Sequence, residues 1–204
     1  MNERFFLLPA KRQEQILNAA YKSFASSSYD KASMSEIAGE ARISKSLLFH
    51  YFQNKAELFQ YLWDHAMQRT SEAILEHQVW DSRDLFEMLR RSLKGKCALM
   101  RQYPYISLFI LMAYYEKSPE VAQRIQGRFL QSKLTSYQAI LAHLDPACIR
   151  ADLSMEEIYQ QLIFASDGYL LDAYRQGRID PDRMEREYDA MICFWKNAYG
   201  RTDT

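Results

Sequence analysis

Ser33-Met34-Ser35-Glu36-Ile37-Ala38-Gly39-Glu40-Ala41-Arg42-Ile43-Ser44-Lys45-Ser46-Leu47-Leu48-Phe49-His50-Tyr51-Phe52 decides the fold. Met34, Ile37, Ala38 and Ala41 follow the i, i+3, i+4, i+7 spacing of one helix face. Ser33 with Glu36 has the form of a capping box. The connection Arg42-Ile43-Ser44 is three residues long, and Ser44 is then placed to cap a second short helix from about Lys45 to Phe52. Two short helices across so tight a turn are the layout of a helix-turn-helix, whose second helix enters the major groove of DNA.

The side chains of that second helix divide accordingly. Leu48, Phe49 and Phe52 are expected to pack inward. Lys45, Ser46, Leu47, His50 and Tyr51 are left outward, a set of short donors, a cation and polar-tipped rings suited to phosphates and base edges. Lys55 opens the next helix, where backbone N–H groups and the helix dipole assist an anion.

Reading outward, Ile16, Leu17, Ala20 and Phe24 stripe a helix from about Lys11 to Ser26, and a long helix runs from Lys55 into the Gln78 region. Further helices are expected near 84–102, 105–115, 119–144, 154–176 and 181–199. Asn54-Lys55-Ala56-Glu57, Ser118-Pro119, Ser154-Met155-Glu156-Glu157 and Asp180-Pro181 supply start signals, and Gly177 a stop. Gly (six) and Pro (five) are scarce in the 204 residues and strand alternation is nearly absent, so the chain reads as all-α with about nine helices. The expected division is a helix-turn-helix domain over 1–60 and a helical ligand-binding and dimerisation domain over 61–204.

Here the residues also resemble a family. Gln15-Ile16-Leu17-Asn18-Ala19-Ala20, Ala32 to Ala38, Ile43-Ser44-Lys45 through His50-Tyr51-Phe52, and Lys55-Ala56-Glu57-Leu58-Phe59 look like the DNA-binding signature of TetR-type regulators, over roughly residues 11–60. The resemblance implies a homodimer that binds a palindromic operator on double-stranded DNA and releases it when a small molecule binds the C-terminal domain. It places phosphates against Ser33, Lys55, His50 and Tyr51, and bases nearest Ser44, Lys45, Ser46 and Leu47. The family often has Gly where Arg42 stands, and where Ser28 precedes Tyr29. A non-Gly residue with positive φ is uncommon, so the turn is expected to differ slightly there, with Arg42 as an added phosphate contact.

The C-terminal half carries two amphipathic helices. Ile158, Leu162, Ala165, Tyr169, Leu170 and Ala173 mark one face, and Met184, Tyr188, Met191, Ile192, Trp195 and Tyr199 the other. Such faces either complete the intrachain core or pair with a second copy as a four-helix bundle. The resemblance favours dimerisation through Ile158, Leu162, Ala165, Tyr169, Met191 and Trp195. An apolar pocket for a hydrophobic or aromatic effector is expected from Trp63, Met67, Met100, Tyr103, Phe109, Met112, Phe129 and Phe164.

Composition narrows the rest. Basic and acidic residues number 26 each, but residues 1–60 hold eight basic and six acidic ones, net +2, against net −2 beyond. That sign suits an N-terminal nucleic-acid contact. Three scattered Cys and four His show no metal-ligand spacing, so neither metal nor cofactor is expected. Pro9 ends the Phe5-Phe6-Leu7-Leu8 run before it resembles a signal sequence, and the apolar stretch from Tyr105 to Tyr115 is too short for a bilayer. A cytoplasmic protein without a membrane role is expected. No nucleotide-binding, nucleophile-elbow or zinc-protease motif occurs, and Asp167 and Asp172 are five apart, which argues against an enzyme. An activator of the same family, a helical enzyme using the aromatic pocket, and a protein-binding adaptor remain the alternatives.

Overall fold

The structure, a computed structural model, describes residues 3–201. Its helices are α1 (Ala10–Ser26), α2 (Met34–Glu40), α3 (Lys45–Tyr51), α4 (Lys55–Glu76), α5 (Leu85–Gln102), α6 (Ile106–Tyr114), α7 (Ala122–His143), α8 (Met155–Arg175) and α9 (Pro181–Tyr199). No strand occurs among the described residues, beyond an isolated bridge between Ile149 and Gly200. The all-α reading holds, and the written start signals act as read at most helices. Asn54 Oδ1 accepts the Glu57 N–H at 2.8 Å while Glu57 Oε2 accepts the Gln53 N–H at 2.6 Å, a reciprocal cap on α4. Ser154 caps α8, Asp180 caps α9, and Gly177 (φ +64°) stops α8 in the left-handed conformation. Ser118-Pro119 is an exception. Ser118 Oγ donates to Asp30 Oδ1 at 2.9 Å instead of capping, and α7 begins only at Ala122.

Two compact units emerge. The first combines the chain up to Arg69 with Gln102–Leu130, and the second combines Thr70–Arg101 with residues from Gln131 onward. In the first unit, the inner faces of α1 (Ile16, Ala20, Tyr21, Phe24), α2 (Ile37), α3 (Leu48, Phe52), α4 (Leu58, Phe59, Leu62) and α6 (Phe109) form the core. Its centre is aromatic: Phe24 meets Phe59 edge-on at 5.0 Å, and Phe109 meets Phe59 and Tyr21 at 5.2 Å each. Such pairs add about 0.5–1.5 kcal/mol each beyond area burial. The Tyr21 hydroxyl, buried with them, donates to the Leu62 carbonyl at 3.0 Å.

The second unit packs Leu85 and Phe86 of α5 against Ile149 of the α7–α8 connection, Ile158 and Leu162 of α8, and Ile192 and Trp195 of α9. Most of the residues expected to dimerise take part in this packing. Ile158, Leu162 and Trp195 are buried within the unit, and Ala165 and Met191 pack against the same cluster. The Tyr169 hydroxyl donates to Glu187 Oε2 at 2.8 Å. An apolar stripe long enough to mark a helix face must first complete its own core. At the α4–α5 crossing a Cβ on Gly95 would lie 2.9 Å from the Ala73 carbonyl oxygen, so close approach requires glycine there.

Candidate nucleic-acid interface

The turn before α3 is held from three sides. Arg42 takes φ +54°, so the left-handed position is filled by an L-residue. The Ile43 N–H returns to the Ala38 carbonyl at 2.9 Å, closing the end of α2. Arg12 of α1 donates through Nη2 to the Arg42 carbonyl at 2.8 Å, fixing the peptide that leads into α3. Ser28 keeps a negative φ, so the other departure from glycine carries no strain. Ser33 Oγ accepts the Ser35 N–H at 3.2 Å to start α2, and Ser44 Oγ accepts the Leu47 N–H at 3.1 Å to start α3. Ser44 and Ser46 also join hydroxyls at 3.0 Å.

α3 divides differently from expectation at two positions. Leu48 and Phe52 are buried as expected, but Phe49 is 37% exposed and Tyr51 only 7%. A seven-residue helix buries a narrow face, so positions i, i+3 and i+4 (Leu48, Tyr51, Phe52) turn in and Phe49, one residue after Leu48, turns out. Tyr51 is drawn inward by Phe5, whose ring lies edge-on at 5.8 Å from it and 5.1 Å from Phe52. The outward face is therefore Lys45, Ser46, Phe49 and His50, with Leu47 half-buried at its edge. Lys45 Nζ stands 5.9 Å over the Phe49 ring, an i, i+4 cation–π pair that orders the ammonium on the exposed side.

Lys55 is engaged inside the protein. Its Nζ donates to the carbonyls of Tyr29 (2.7 Å), Asp30 (3.3 Å) and Ala32 (3.3 Å), and lies 4.4 Å over the Tyr29 ring. It ties the α1–α2 loop to the start of α4. Two residues unmarked by sequence reasoning support the same region. Phe5, in a 3-10 turn at Glu3–Phe5, is fully buried against Tyr51, Phe52 and Tyr61. Its signal was the Phe5-Phe6-Leu7-Leu8 run. Glu116, just past α6, accepts the Tyr29 N–H at 2.6 Å through Oε2, and the N–H groups of Lys117 and Ser118 through Oε1. No motif announces it.

The expected pocket residues are divided between the two units. Trp63, Tyr103, Phe109 and Phe129 are buried packing residues of the first unit, and Met67 is half-buried there. Phe129 stacks on Tyr114 at 4.4 Å, and Tyr103 meets His65 edge-on at 5.1 Å. Met112 lines a cleft of about 200 Å³ with Phe24, Phe59 and Tyr115. Met100 is buried in the second unit, and Phe164 is 67% exposed on the outer face of α8, contrary to a role in closing a pocket. That outer face carries Gln161, Phe164 and Gly168, and the exposed face of α9 carries Ala190, Phe194 and Asn197. Phe194, also 67% exposed, was missed because it falls outside the buried stripe.

Among the described residues, no group of three metal-ligating side chains forms and no helix is long and apolar enough to cross a membrane.

Comparison with known proteins converges on one family. Residues 16–62 match the family described as bacterial regulatory proteins, tetR family. The chain is 29% identical over 109 residues to the probable acrEF/envCD operon repressor of Escherichia coli (strain K12), covering 52% of this chain and 48% of that protein. It is 27% identical over 81 residues to the HTH-type transcriptional regulator AcrR of Shigella flexneri, covering 40% and 38%. These matches thus span half or less of the relatives' length. The fold is that of a TetR family transcriptional regulator from Chloroflexus aurantiacus J-10-FL, with a TM-score of 0.65 at 20% identity over 98% of this chain and 99% of that one.

Proposed function

We propose that this chain, which belongs to the TetR family through its N-terminal domain, is a dimeric DNA-binding transcriptional repressor released from a palindromic operator by a small molecule. The observation that carries the reading is α3 itself. A capped helix presents Lys45, Ser46, Phe49 and His50 to solvent while Phe5, Leu48, Tyr51 and Phe52 hold it from behind. Lys45 and His50 suit phosphate oxygens and Ser46 suits base edges, with the exposed Phe49 ring offering apolar contact to a thymine methyl. Ser33, Ser44, Leu47 and Arg42 border this face, and Lys55 contributes by holding the loop behind it.

A palindrome requires two copies with recognition helices about 34–36 Å apart. The outward faces of α8 and α9, with Phe164 and Phe194 beside the small Gly168 and Ala190, are the surfaces we assign to pairing. The similarity to a probable operon repressor supports repression. An effector acts by favouring a dimer whose spacing no longer fits the operator, a coupling of about 1–3 kcal/mol. The test is salt-titrated binding of the parent and Lys45→Ala to one duplex. One phosphate contact per protomer contributes a slope of about 0.9 in log K against log salt. The variant's slope is therefore expected to fall by about 2 per dimer, and equal slopes remove Lys45 from the interface.

A further inference from the structure

The α1–α2 loop joins α1 to the helix-turn-helix. It begins at Ser27, where α1 ends, and closes on Ser33, the cap of α2. Its polar groups are held from two directions. Lys55 at the start of α4 collects loop carbonyls, and Glu116, 87 residues after Tyr29 in the chain, accepts the Tyr29 N–H through Oε2 at 2.6 Å. Ser118, only 6% exposed, donates through Oγ to Asp30 Oδ1 at 2.9 Å. The α6–α7 connection therefore grips two consecutive loop residues, one by its backbone and one by its side chain.

The grip is itself fixed. Glu116 Oε1 accepts the Lys117 and Ser118 N–H groups at 2.8 and 2.9 Å, and the Glu116 carbonyl accepts from Gln126 Nε2 of α7 at 3.1 Å. One carboxylate thus joins the turn after α6 to the loop before α2. Apolar packing does not close this end of the seam. A cleft of about 200 Å³ opens there, lined by Ser27 and Ser28 on the loop side and by Met112, Tyr115 and Glu116 at the α6 end. Where apolar surfaces do not meet, polar contacts decide how the two elements sit. Hydrogen bonds to a charged acceptor are the stronger kind, and losing one shifts a local equilibrium roughly tenfold or more.

We propose that Glu116 is a positioning residue of the DNA interface, although it lies outside the helix-turn-helix. Through the Tyr29 N–H it fixes the pose of α2 and α3 against α1 and α4 in which both half-sites of a palindrome are met. Ser118, through Asp30, supports the same pose. The DNA-binding unit is then discontinuous in sequence, with the α6–α7 connection as one of its parts. This rests on the operator-binding reading above and extends its site to residues that act without touching DNA. A single recognition helix can dock in one major groove whatever its pose on α1, because the rest of the protein follows it. Two helices in one dimer must fit grooves about 34–36 Å apart, so the pose matters when both dock.

The test uses the full chain and two variants, Glu116→Gln and Ser118→Ala. In the glutamine variant the amide oxygen is expected to stay with the Lys117 and Ser118 N–H groups. That turns its NH2 toward the Tyr29 N–H and breaks the bond. Residual dipolar couplings of α3 amides relative to α6 amides read the pose without DNA. They are expected to change in Glu116→Gln, while the Leu48 and Phe52 amides of α3 keep the parent exchange rate. Affinity for the palindrome selected from a random pool should fall about tenfold. Affinity for a duplex with a single half-site should stay within about twofold of the parent, and the salt slope should be unchanged because no phosphate contact is lost. Ser118→Ala should act in the same direction with smaller size, and serves alone if the glutamine variant does not fold. Unchanged α3 couplings, or palindrome affinity within about twofold of the parent, overturns the proposal. Equal loss on palindrome and half-site with faster α3 exchange also overturns it, because the carboxylate would then only hold the helices together. A parent that selects no palindrome sinks the repressor reading alone, and the couplings then decide the role of Glu116 by themselves.

Discussion

Phe5→Ala tests whether the arm before α1 braces the recognition helix. Phe5 is fully buried, with ring centroids 5.1 Å from Phe52, 5.7 Å from Tyr61 and 5.8 Å from Tyr51. Truncating a buried Phe costs about 3–5 kcal/mol. The lower end applies here, because a short arm outside the helices can lift away and let water relieve the cavity, so the loss is about 3 kcal/mol. That corresponds to roughly a hundredfold in a local opening equilibrium. Amide hydrogen exchange of α3 reads it directly. The Leu48 N–H bonds to the Ser44 carbonyl and the Phe52 N–H to the Leu48 carbonyl, so both report the integrity of the helix. Both should exchange about a hundred times faster in the variant, while amides of α8 and α9 keep the parent rate. Phe5→Leu retains most of the volume and should cost about 1 kcal/mol. Unchanged α3 exchange in Phe5→Ala would refute the bracing role.

Other perturbations have equally definite outcomes. Arg42→Gly removes a left-handed penalty of about 1–2 kcal/mol and adds about 0.5–1 kcal/mol of backbone entropy. Urea unfolding should therefore show a gain of about 0.5 kcal/mol, and a loss above about 1 kcal/mol would mean the Arg42 side chain stabilises the turn. Asp84 gives a pH dependence. Burial alone would raise its carboxyl, but the Glu87 N–H, Lys196 and the Phe86 N–H offset this and hold it below the usual range. A lowered carboxyl stabilises the fold above its unfolded value, near 4, and loses that contribution as pH falls through the depressed folded value. Asp84→Asn should flatten the acid limb of stability against pH, and identical limbs would contradict the assignment. Phe164→Glu with Phe194→Glu should convert a dimer to a monomer in sedimentation velocity without loss of helicity. A dimer that persists places the pairing face elsewhere.

Helix existence was written in the sequence because caps and apolar spacing are local, and most boundaries fall within a residue or two of the expected ones. α7 differs because Ser118 has a better partner in Asp30, 88 residues away, than in its own helix. Side-chain direction was less legible. Tyr51 and Phe49 exchange places because Phe5 arrives from outside the helix-turn-helix and claims the tyrosine. The α8 and α9 stripes were found correctly as faces, but a stripe does not say whether its partner is the same chain or another copy. Lys55 shows the same limit: a lysine at a helix start suits a phosphate and three loop carbonyls equally, and only the fold reveals the carbonyls.

The most direct test of the central claim is selection of bound duplexes from a random DNA pool by the full chain. The account predicts an enriched palindrome with half-sites about one helical turn apart, bound with steep salt dependence and lost when Lys45 and Ser46 are replaced by Ala. A pool that yields no enriched sequence, with only weak binding at low salt, would contradict an operator-binding role for α3.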